Sequence, residues 1–316
     1  MSASYRDVLT AAERISGRVH RTPVLTSTLL EDAAGASLYF KCEHLQKVGA
    51  FKARGAANAV FSLDESVIKQ GFATHSSGNH GAALARAAAL RQAPAYIVVP
   101  SNAPQVKQDA IAAYGAEIIL CEPTLPDREA TLAAVIERTG AVAVHPYDDP
   151  RVIAGQGTAA LELIEQVAGL DVIVVPVGGG GLLAGTCLVA EQVGINVIAA
   201  EPAGADDAYR SLVSGRRVTE HMPNTICDGL QTTLGARNFD IIQPRLEQVM
   251  VMDDSATIEA MRLIWSRMKQ VVEPSAAIAL AAVMQYPARF AGQRVGLMLT
   301  GGNVDLEKLP FDREHE

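Results

Sequence analysis

The chain has 316 residues, of which 49 % are hydrophobic and 20 % are charged, and its formal net charge is −8. This length and hydrophobic content predict about two folded domains, which excludes disorder over most of the sequence. Because 35 acidic residues outnumber 27 basic ones, no basic surface for nucleic acid or anionic lipid is expected. A polyanionic partner is therefore excluded.

The apolar runs and the N-terminus give no sign of a membrane or secretory segment. No apolar stretch reaches the roughly 18 residues of a membrane helix, and residues 1–7 lack a basic segment followed by an apolar one. The cysteines are far apart and form no C-x-x-C pair, which predicts buried free thiols. They are Cys42, Cys121, Cys187 and Cys227. We therefore expect a soluble cytoplasmic protein.

Short β-branched runs alternate with Ala- and Leu-rich helical patterns, which predicts an α/β fold with parallel sheets. A helix is expected over about residues 82–92, followed by a strand at 95–99. Capping side chains at 101–102 begin a helix that runs to Tyr114, and a strand begins at 117–120. The later elements are predicted as a strand at 172–177, a helix at 182–193, a strand at 196–200, a helix at 255–271 and a strand at 295–299.

Four consecutive glycines, Gly178 to Gly181, lie between a predicted strand and a predicted helix. Their backbone N–H groups and the helix dipole predict a phosphate-binding loop. The segment also satisfies a dinucleotide fingerprint that ends at Ala184, with Glu201 placed to bind a ribose, so a nicotinamide oxidoreductase remains an alternative. A close-packed turn without a ligand is the simplest alternative.

Lys52 lies in a stretch that is expected to surround it with apolar and cationic groups. Both influences lower a lysine pKa, so Lys52 is a candidate for Schiff-base formation and for proton transfer. The alternative is an ordinary solvated lysine at the start of a helix.

The segment Ser76-Ser77-Gly78-Asn79-His80-Gly81 precedes a predicted helix. Its amides and hydroxyls can bind a small carboxylate, or they can simply cap the helix. The spacing of His75 and His80 matches no zinc motif.

Three separated motifs occur together in this chain: residues 49–56 around Phe51-Lys52, residues 76–80, and the glycine loop. The combination resembles the fold-type II pyridoxal-phosphate enzymes. Within that group the chain is similar to the serine racemase and threonine dehydratase family over about residues 15–310. The further motifs that support this are residues 74–77, 154–158, 200–202 and 300–305.

The resemblance implies two open, twisted sheets of the tryptophan synthase β type, with the cofactor between them. Residues 1–65 and 149–316 would form the large cofactor-binding domain, and residues 70–148 the small domain. We also expect a homodimer.

The resemblance also assigns roles to individual residues. Lys52 would bind pyridoxal 5′-phosphate covalently and move the α-proton, with Ser77 as the acid/base on the opposite face. The cofactor would be contacted by Phe51, Lys52, Asn79 (at the ring hydroxyl), Gly178, Gly179, Gly180, Gly181 (at the phosphate) and Thr300 (at the ring nitrogen). The amino-acid substrate would be held by Ser76, Ser77, Asn79 and His80.

Glu201 gains a second interpretation from the resemblance. With the Ala205 carbonyl and Asp207 it matches the family's site for Mg²⁺, or for Ca²⁺ or Mn²⁺, since oxygen ligands suit these cations. Without the resemblance, residues 204–207 predict an acidic loop that caps the next helix.

The implied reaction is β-elimination from L-serine or L-threonine to a 2-oxo acid and ammonia, with serine racemisation at the same site. Dehydration of 3-hydroxyaspartate is the close alternative. The chain departs from the family pattern at Ala50, Tyr147 and Thr300, which leaves substrate preference open.

Overall fold

Residues 2–76, 78–103 and 105–312 are described by a computed structural model that contains two sheets with helices packed against them. The larger sheet has six strands, and all neighbours are parallel except its first pair, which is antiparallel. Their spatial order is β1 (Val24–Leu25), β2 (Ser37–Lys41), β10 (Arg294–Met298), β7 (Val172–Pro176), β8 (Asn196–Pro202) and β9 (Gln248–Met252).

The smaller sheet has four strands, all parallel, in the spatial order β5 (Glu117–Cys121), β4 (Ala95–Pro100), β3 (Phe72–His75) and β6 (Val142–Ala143). Strand β7 is buried at every position, as is β3. Strands that are covered on both faces need apolar residues on both, which is why these segments read as continuous apolar runs. The α/β fold with two sheets is thus confirmed.

The helices that the structure describes are α1 (Tyr5–Ile15), α2 (Thr28–Ala34), α3 (Lys52–Phe61), α4 (Glu65–Ile68), α5 (Asn79–Leu90), α6 (Gln105–Ala112), α7 (Leu125–Thr139), α8 (Pro150–Gln166), α9 (Gly181–Ala190), α10 (Asp207–Ser214), α11 (Ala236–Ile242), α12 (Asp254–Leu263), α13 (Pro274–Gln285) and α14 (Pro287–Phe290). Several begin at local sequence signals. Asp149 caps α8 through the Arg151 N–H and is followed by Pro150, while Thr124 caps α7. None of these helices combines the length and the hydropathy that a membrane span needs.

The elements predicted from the sequence are found with shifted ends. Helix α5 begins at Asn79, ahead of the expected start at residue 82. The helix expected over 255–271 is too long, because α12 passes into a π-helical turn, Ile264–Met268, and Lys269 adopts a left-handed backbone with φ 59°. Cys121 is only partly buried, so the expectation of four buried thiols is wrong for this cysteine.

Helix α8 fixes the relative positions of α3 and α9 through close contacts at glycines. A Cβ at Gly185 of α9 would lie 2.6 Å from the backbone nitrogen of Gly157, and one at Gly155 would lie 2.6 Å from the Cα of Gly55 in α3. Gln156 also accepts a hydrogen bond from the Gly55 N–H at 3.0 Å. These contacts place the start of α3, with Lys52, beside the glycine loop that precedes α9. The proposed domain division at residues 65–70 and 148–149 stays a prediction.

Candidate active site

Lys52 is held at the carboxyl end of β10 by backbone pairing. The Phe51 N–H donates to the Thr300 carbonyl and the Gly302 N–H donates to the Gly49 carbonyl, both at 3.0 Å. Ala50 and Gly301 form an antiparallel bridge between these two segments. Residues 49–51 therefore act as a short extra strand that delivers Lys52 to the end of the large sheet, where ligands bind in open α/β sheets.

The Lys52 side chain is partly buried and lies beside one aromatic ring and one carbonyl. Its Nζ donates to the Pro146 carbonyl at 3.0 Å and lies 5.0 Å from the centre of the Phe51 ring. Burial lowers the pKa of Lys52 to about 8, and the negative charge of Glu273 opposes this shift. The apolar part of the expected neighbourhood is therefore confirmed.

The cationic part of that expectation is wrong. The Arg54 guanidinium turns away from Lys52 and is bonded to Glu43 and Glu162. The charge that acts on Lys52 is the Glu273 carboxylate, so desolvation alone lowers the lysine pKa.

The four glycines form an open cradle at the start of α9. No acceptor within the described part of the chain receives the N–H groups of Gly178 to Gly181. The Gly179 carbonyl is bound from behind by the Asn238 Nδ2 at 2.6 Å and the Gly235 N–H at 3.1 Å. Gly180 has φ 88°, which favours glycine. The free amides and the N-terminus of α9 can therefore bind an anion such as a phosphate.

Tyr147 connects the glycine cradle to Lys52. Its ring lies so close to Gly179 that a Cβ there would be 2.3–2.5 Å from three ring carbons. The preceding residue, Pro146, supplies the carbonyl that Lys52 binds. Two consecutive residues, Pro146 and Tyr147, therefore contact Lys52 and the glycine cradle respectively, which places both at one site. The sequence marked Tyr147 only as a departure from the family, and its contact with Gly179 depends on tertiary packing.

Asn79, at the first position of α5, is bonded to two residues from the other end of the chain. Its Nδ2 donates to the Glu273 carboxylate at 3.1 and 3.3 Å, and its Oδ1 accepts from the Asn303 Nδ2 at 2.8 Å. The expected contact of Asn79 with a cofactor ring hydroxyl stays a prediction. Sequence reasoning missed Glu273, whose only signal is an acid directly before Pro274 at a helix start.

The expected substrate residues lie around the start of α5. The Ser76 hydroxyl accepts from the Gly78 N–H at 3.4 Å. The His80 Nε2 lies 3.2 Å from the Val144 carbonyl, and burial lowers the pKa of His80 to about 3. His80 is therefore neutral and offers no positive charge to a carboxylate, and its expected contact with the substrate stays a prediction. Ser77 lies outside the described residues.

Thr300 is buried beside the residues that hold Lys52. Its hydroxyl lies 3.4 Å from the Ser275 carbonyl, the acceptor in a long hydrogen bond, and its own carbonyl binds the Phe51 N–H. A hydroxyl rather than a carboxylate thus occupies this position, and its expected role at the cofactor ring nitrogen stays a prediction.

Arg128, near the start of α7, is a cation that sequence reasoning did not select. Its positive charge helps burial to lower the pKa of His75 to about 4, and it also acts on Tyr147. Its Nε is buried, and no acceptor for it is found within the described residues. An arginine with a free N–H beside the site can bind an anionic group of a ligand.

The Glu201 side chain caps the N-terminus of α10. Its carboxylate accepts from the N–H groups of Ala208 and Tyr209, both at 2.8 Å. Asp207 accepts from the Leu234 N–H at 2.8 Å, and its Oδ1 lies 3.0 Å from the His221 Nδ1. Within the described residues no three His, Cys, Asp or Glu side chains are grouped to hold a metal. The expectation that residues 204–207 cap α10 is therefore wrong, because Asp206 at the start of α10 makes no side-chain capping bond and Glu201 makes these bonds instead.

A family model described as "Pyridoxal-phosphate dependent enzyme" matches residues 15–301. The chain belongs to this family. It is 49 % identical to a β-hydroxyaspartate dehydratase of Paracoccus denitrificans over 98 % of this chain and 99 % of the relative. It is 48 % identical to a serine racemase of Dictyostelium discoideum, over 98 % and 97 % of the two chains. The solved structure of maize serine racemase superposes with a TM-score of 0.95, 43 % identity, and coverage of 97 % and 95 %.

The residues present fit the cofactor of this family. The glycine cradle offers four free amides for the phosphate. The lowered pKa of Lys52 increases the fraction of its amine that is neutral, which is the form that reacts with a carbonyl group. The dinucleotide alternative is wrong, because the family is that of pyridoxal-phosphate enzymes. Glu201, which that alternative assigned to a ribose, is instead bonded to two backbone N–H groups of α10.

Proposed function

We propose that this protein dehydrates L-serine and L-threonine to a 2-oxo acid and ammonia with pyridoxal phosphate, and that it racemises serine at the same site. The observation that carries the proposal is the placement of the Lys52 amine, with its lowered pKa, beside four free glycine amides. The name of the serine racemase relative agrees with the racemase part of the proposal.

The cofactor, when bound, supplies an electron sink that stabilises negative charge at the substrate α-carbon. Gly178 to Gly181 would hold its phosphate, Phe51 would pack beside it, and Thr300 would lie at the ring nitrogen. The neutral Lys52 amine takes the α-proton from one face. Ser77 is proposed as the group that returns a proton from the opposite face, which would give the D-enantiomer of serine.

A dicarboxylic substrate, 3-hydroxyaspartate, is the second candidate, and Arg128 favours it. A second substrate carboxylate would provide the acceptor that the buried Arg128 Nε lacks within the described residues. A charge-assisted bond of this kind contributes about 1.5–3 kcal/mol. The dehydratase of Paracoccus denitrificans named above supports the same substrate.

We further propose a divalent cation, Mg²⁺ or one of its analogues, at Glu201, Asp207 and the Ala205 carbonyl. Both carboxylates are buried. The two Glu201 oxygens and the Asp207 Oδ2 each accept one N–H and keep a second lone pair, and the Asp207 Oδ1 has no hydrogen-bond donor within the described residues. Chelation with EDTA followed by addition of Mg²⁺ should lower and then restore the melting temperature. No change on chelation or on metal addition would contradict this assignment.

A cytoplasmic homodimer is also proposed. The buried free thiols of Cys42, Cys187 and Cys227 agree with a reducing compartment. Light scattering of the purified protein measures the oligomeric state directly, and a monomer would contradict the proposal.

The decisive experiment measures colour and products together. The protein loaded with pyridoxal phosphate should show a visible absorption band and should release oxo acid from L-serine or L-threonine. Lys52→Ala should lose both properties, while Lys69→Ala, at an exposed lysine, should keep them. A colourless protein, or turnover that survives Lys52→Ala, would refute the proposal.

Arg128→Met tests which substrate class is preferred. Loss of a charge-assisted bond should raise the KM for 3-hydroxyaspartate about 10- to 100-fold and change that for serine less than about threefold. Arg138→Met is the matched control, because Arg138 lies on the same helix in an exposed pair with Glu117. An equal loss for both substrates would refute the dicarboxylate assignment.

A further inference from the structure

Glu273 is a buried acid that the proposed chemistry does not use. It precedes α13, but its side chain makes no capping bond to that helix. The side chain is turned toward the loop after β10, where a Cβ on Gly301 would lie 2.5 Å from its Oε1. Glu273 is only 4 % exposed. An acid in such a place needs hydrogen-bond donors around it.

The donors form a series of hydrogen bonds, and the groups at its two ends determine which atom donates in each bond. The Asn303 Nδ2 donates to the Val48 carbonyl at 2.8 Å, and a carbonyl can only accept, so the Asn303 amide has one orientation. The second hydrogen of that Nδ2 goes to the Asn79 Oδ1 at 2.8 Å. The Asn79 Nδ2 must then face Glu273, which also accepts the Asn303 N–H at 3.2 Å.

This series of hydrogen bonds leaves one hydrogen of the Asn79 Nδ2 without an acceptor within the described residues. A primary amide carries two N–H groups, and within the described residues the Glu273 carboxylate is the acceptor recorded for the Asn79 Nδ2. The Asn79 Nδ2 and the Asn303 N–H both donate to Glu273, so its carboxylate acts only as a hydrogen-bond acceptor here. A glutamine at this position would turn an NH₂ group toward one of these donors.

We infer that Glu273 is a positioning residue that, together with Asn303, orients Asn79 so that its remaining N–H is presented to the bound cofactor. The inference rests on the proposed function, in which pyridoxal phosphate is bound at Lys52. Glu273 touches neither substrate nor cofactor in this role and acts through Asn79.

The charges around Glu273 come from three elements. Burial raises the pKa of the Glu273 carboxyl, and Asp228 adds to the rise. Lys107 of α6 opposes it and is also ion-paired with Asp228. Lys52 faces Glu273 from the start of α3. The hydrogen bonds from Asn79 and Asn303 also oppose the rise, and a side chain that accepts from both of these donors needs no proton of its own to hold Asn79 in place.

Glu273→Gln is the first test, with cofactor affinity and apoprotein melting temperature as separate measurements. The apparent Kd for pyridoxal phosphate, measured from the visible absorption band, should rise about 10- to 100-fold, as expected for loss of a bond to a charged group. Asp253→Asn is the matched control, because Asp253 caps α12, which shares a hydrophobic core with α13, and should affect stability alone.

The double variant Asn79→Asp/Glu273→Gln separates positioning from mere stability. The exchanged pair restores the donors and acceptors between positions 79, 273 and 303, so the melting temperature should recover. An aspartate at 79 has no N–H for the cofactor, so the Kd should stay high. Recovery of both properties would overturn the inference, and so would an unchanged Kd in Glu273→Gln.

If Glu273→Gln does not fold, Asn303→Ala tests the same series of hydrogen bonds from its other end. It removes a neutral hydrogen bond to Asn79 and should weaken cofactor binding about 2- to 12-fold; an unchanged Kd would again overturn the inference. A wild-type protein that binds no pyridoxal phosphate would instead refute the proposed function, and the two failures are thereby distinguished.

Discussion

Arg54 provides the sharpest test of how the site is held in place, because it is the centre of a buried charge network. Its guanidinium makes paired hydrogen bonds to Glu43, both at 2.7 Å, and to Glu162, at 2.7 and 2.8 Å. Lys41 also binds Glu162 at 2.7 Å. Two cations thus balance two carboxylates, and Arg54 lies two residues after Lys52 in the first turn of α3.

Arg54→Met removes one cation and leaves a negative charge in the interior. Glu162 keeps Lys41, so the loss falls on Glu43, for which the described residues leave the Thr22 hydroxyl as the side-chain donor. Removing one partner of a buried pair costs about 3–5 kcal/mol. At about 2 °C per kcal/mol for a chain of this size, the melting temperature should fall by roughly 6–10 °C.

The assay is urea and thermal unfolding of the apoprotein, with Arg21→Met as the control. Arg21 pairs with Glu165 at 2.8 Å, but the two side chains are 54 % and 49 % exposed, so its loss should cost under about 1 kcal/mol. Arg54→Met/Glu43→Gln should regain part of the stability, since it removes the uncompensated charge. Equal destabilisation by Arg54→Met and Arg21→Met would refute the reasoning.

Three further outcomes are expected. Gly179→Ala should weaken cofactor binding because its Cβ meets the Tyr147 ring at 2.3–2.5 Å; titration of the absorption band measures the loss, and Tyr147→Ala should partly reverse it. Gly185→Ala should lower the free energy of unfolding by about 1–3 kcal/mol through overpacking against Gly157; an unchanged urea midpoint would contradict the close contact. Because the pKa of Lys52 is about 8, its neutral fraction grows about eightfold from pH 6.5 to 7.5, and the rate of cofactor uptake should rise likewise and level off above about pH 9. A rate that still rises severalfold between pH 9 and pH 10, as for a lysine at its ordinary pKa, would contradict the lowered pKa.

Much of the local structure could be predicted from the sequence. The strands at 95–99, 172–177 and 196–200 were located within two residues of their observed bounds. The glycine run follows β7, as the pattern predicts, and its last residue, Gly181, begins α9. Apolar periodicity and glycine punctuation are encoded by neighbouring residues, so a local pattern is enough to find them.

Element ends were less predictable, since they depend on contacts made elsewhere. The helix expected to reach residue 271 ends at a left-handed Lys269. Trp265, within the π-helical turn before it, donates its indole N–H to the Val272 carbonyl at 3.0 Å. A periodic apolar pattern cannot predict such a hydrogen bond.

The sequence by itself determined the α/β fold, because apolar periodicity is local. It selected the glycine run and Lys52 as candidate site residues only through the combination of three separated motifs that carries the family resemblance. Only the tertiary structure decided which charge faces the Lys52 amine. The adjacent Arg54 is neutralised by Glu43 and Glu162, while Glu273, more than 200 residues away along the chain, acts on Lys52 and binds Asn79. Electrostatic effects follow distance in space rather than in sequence, so these partners were found only once the chain was folded.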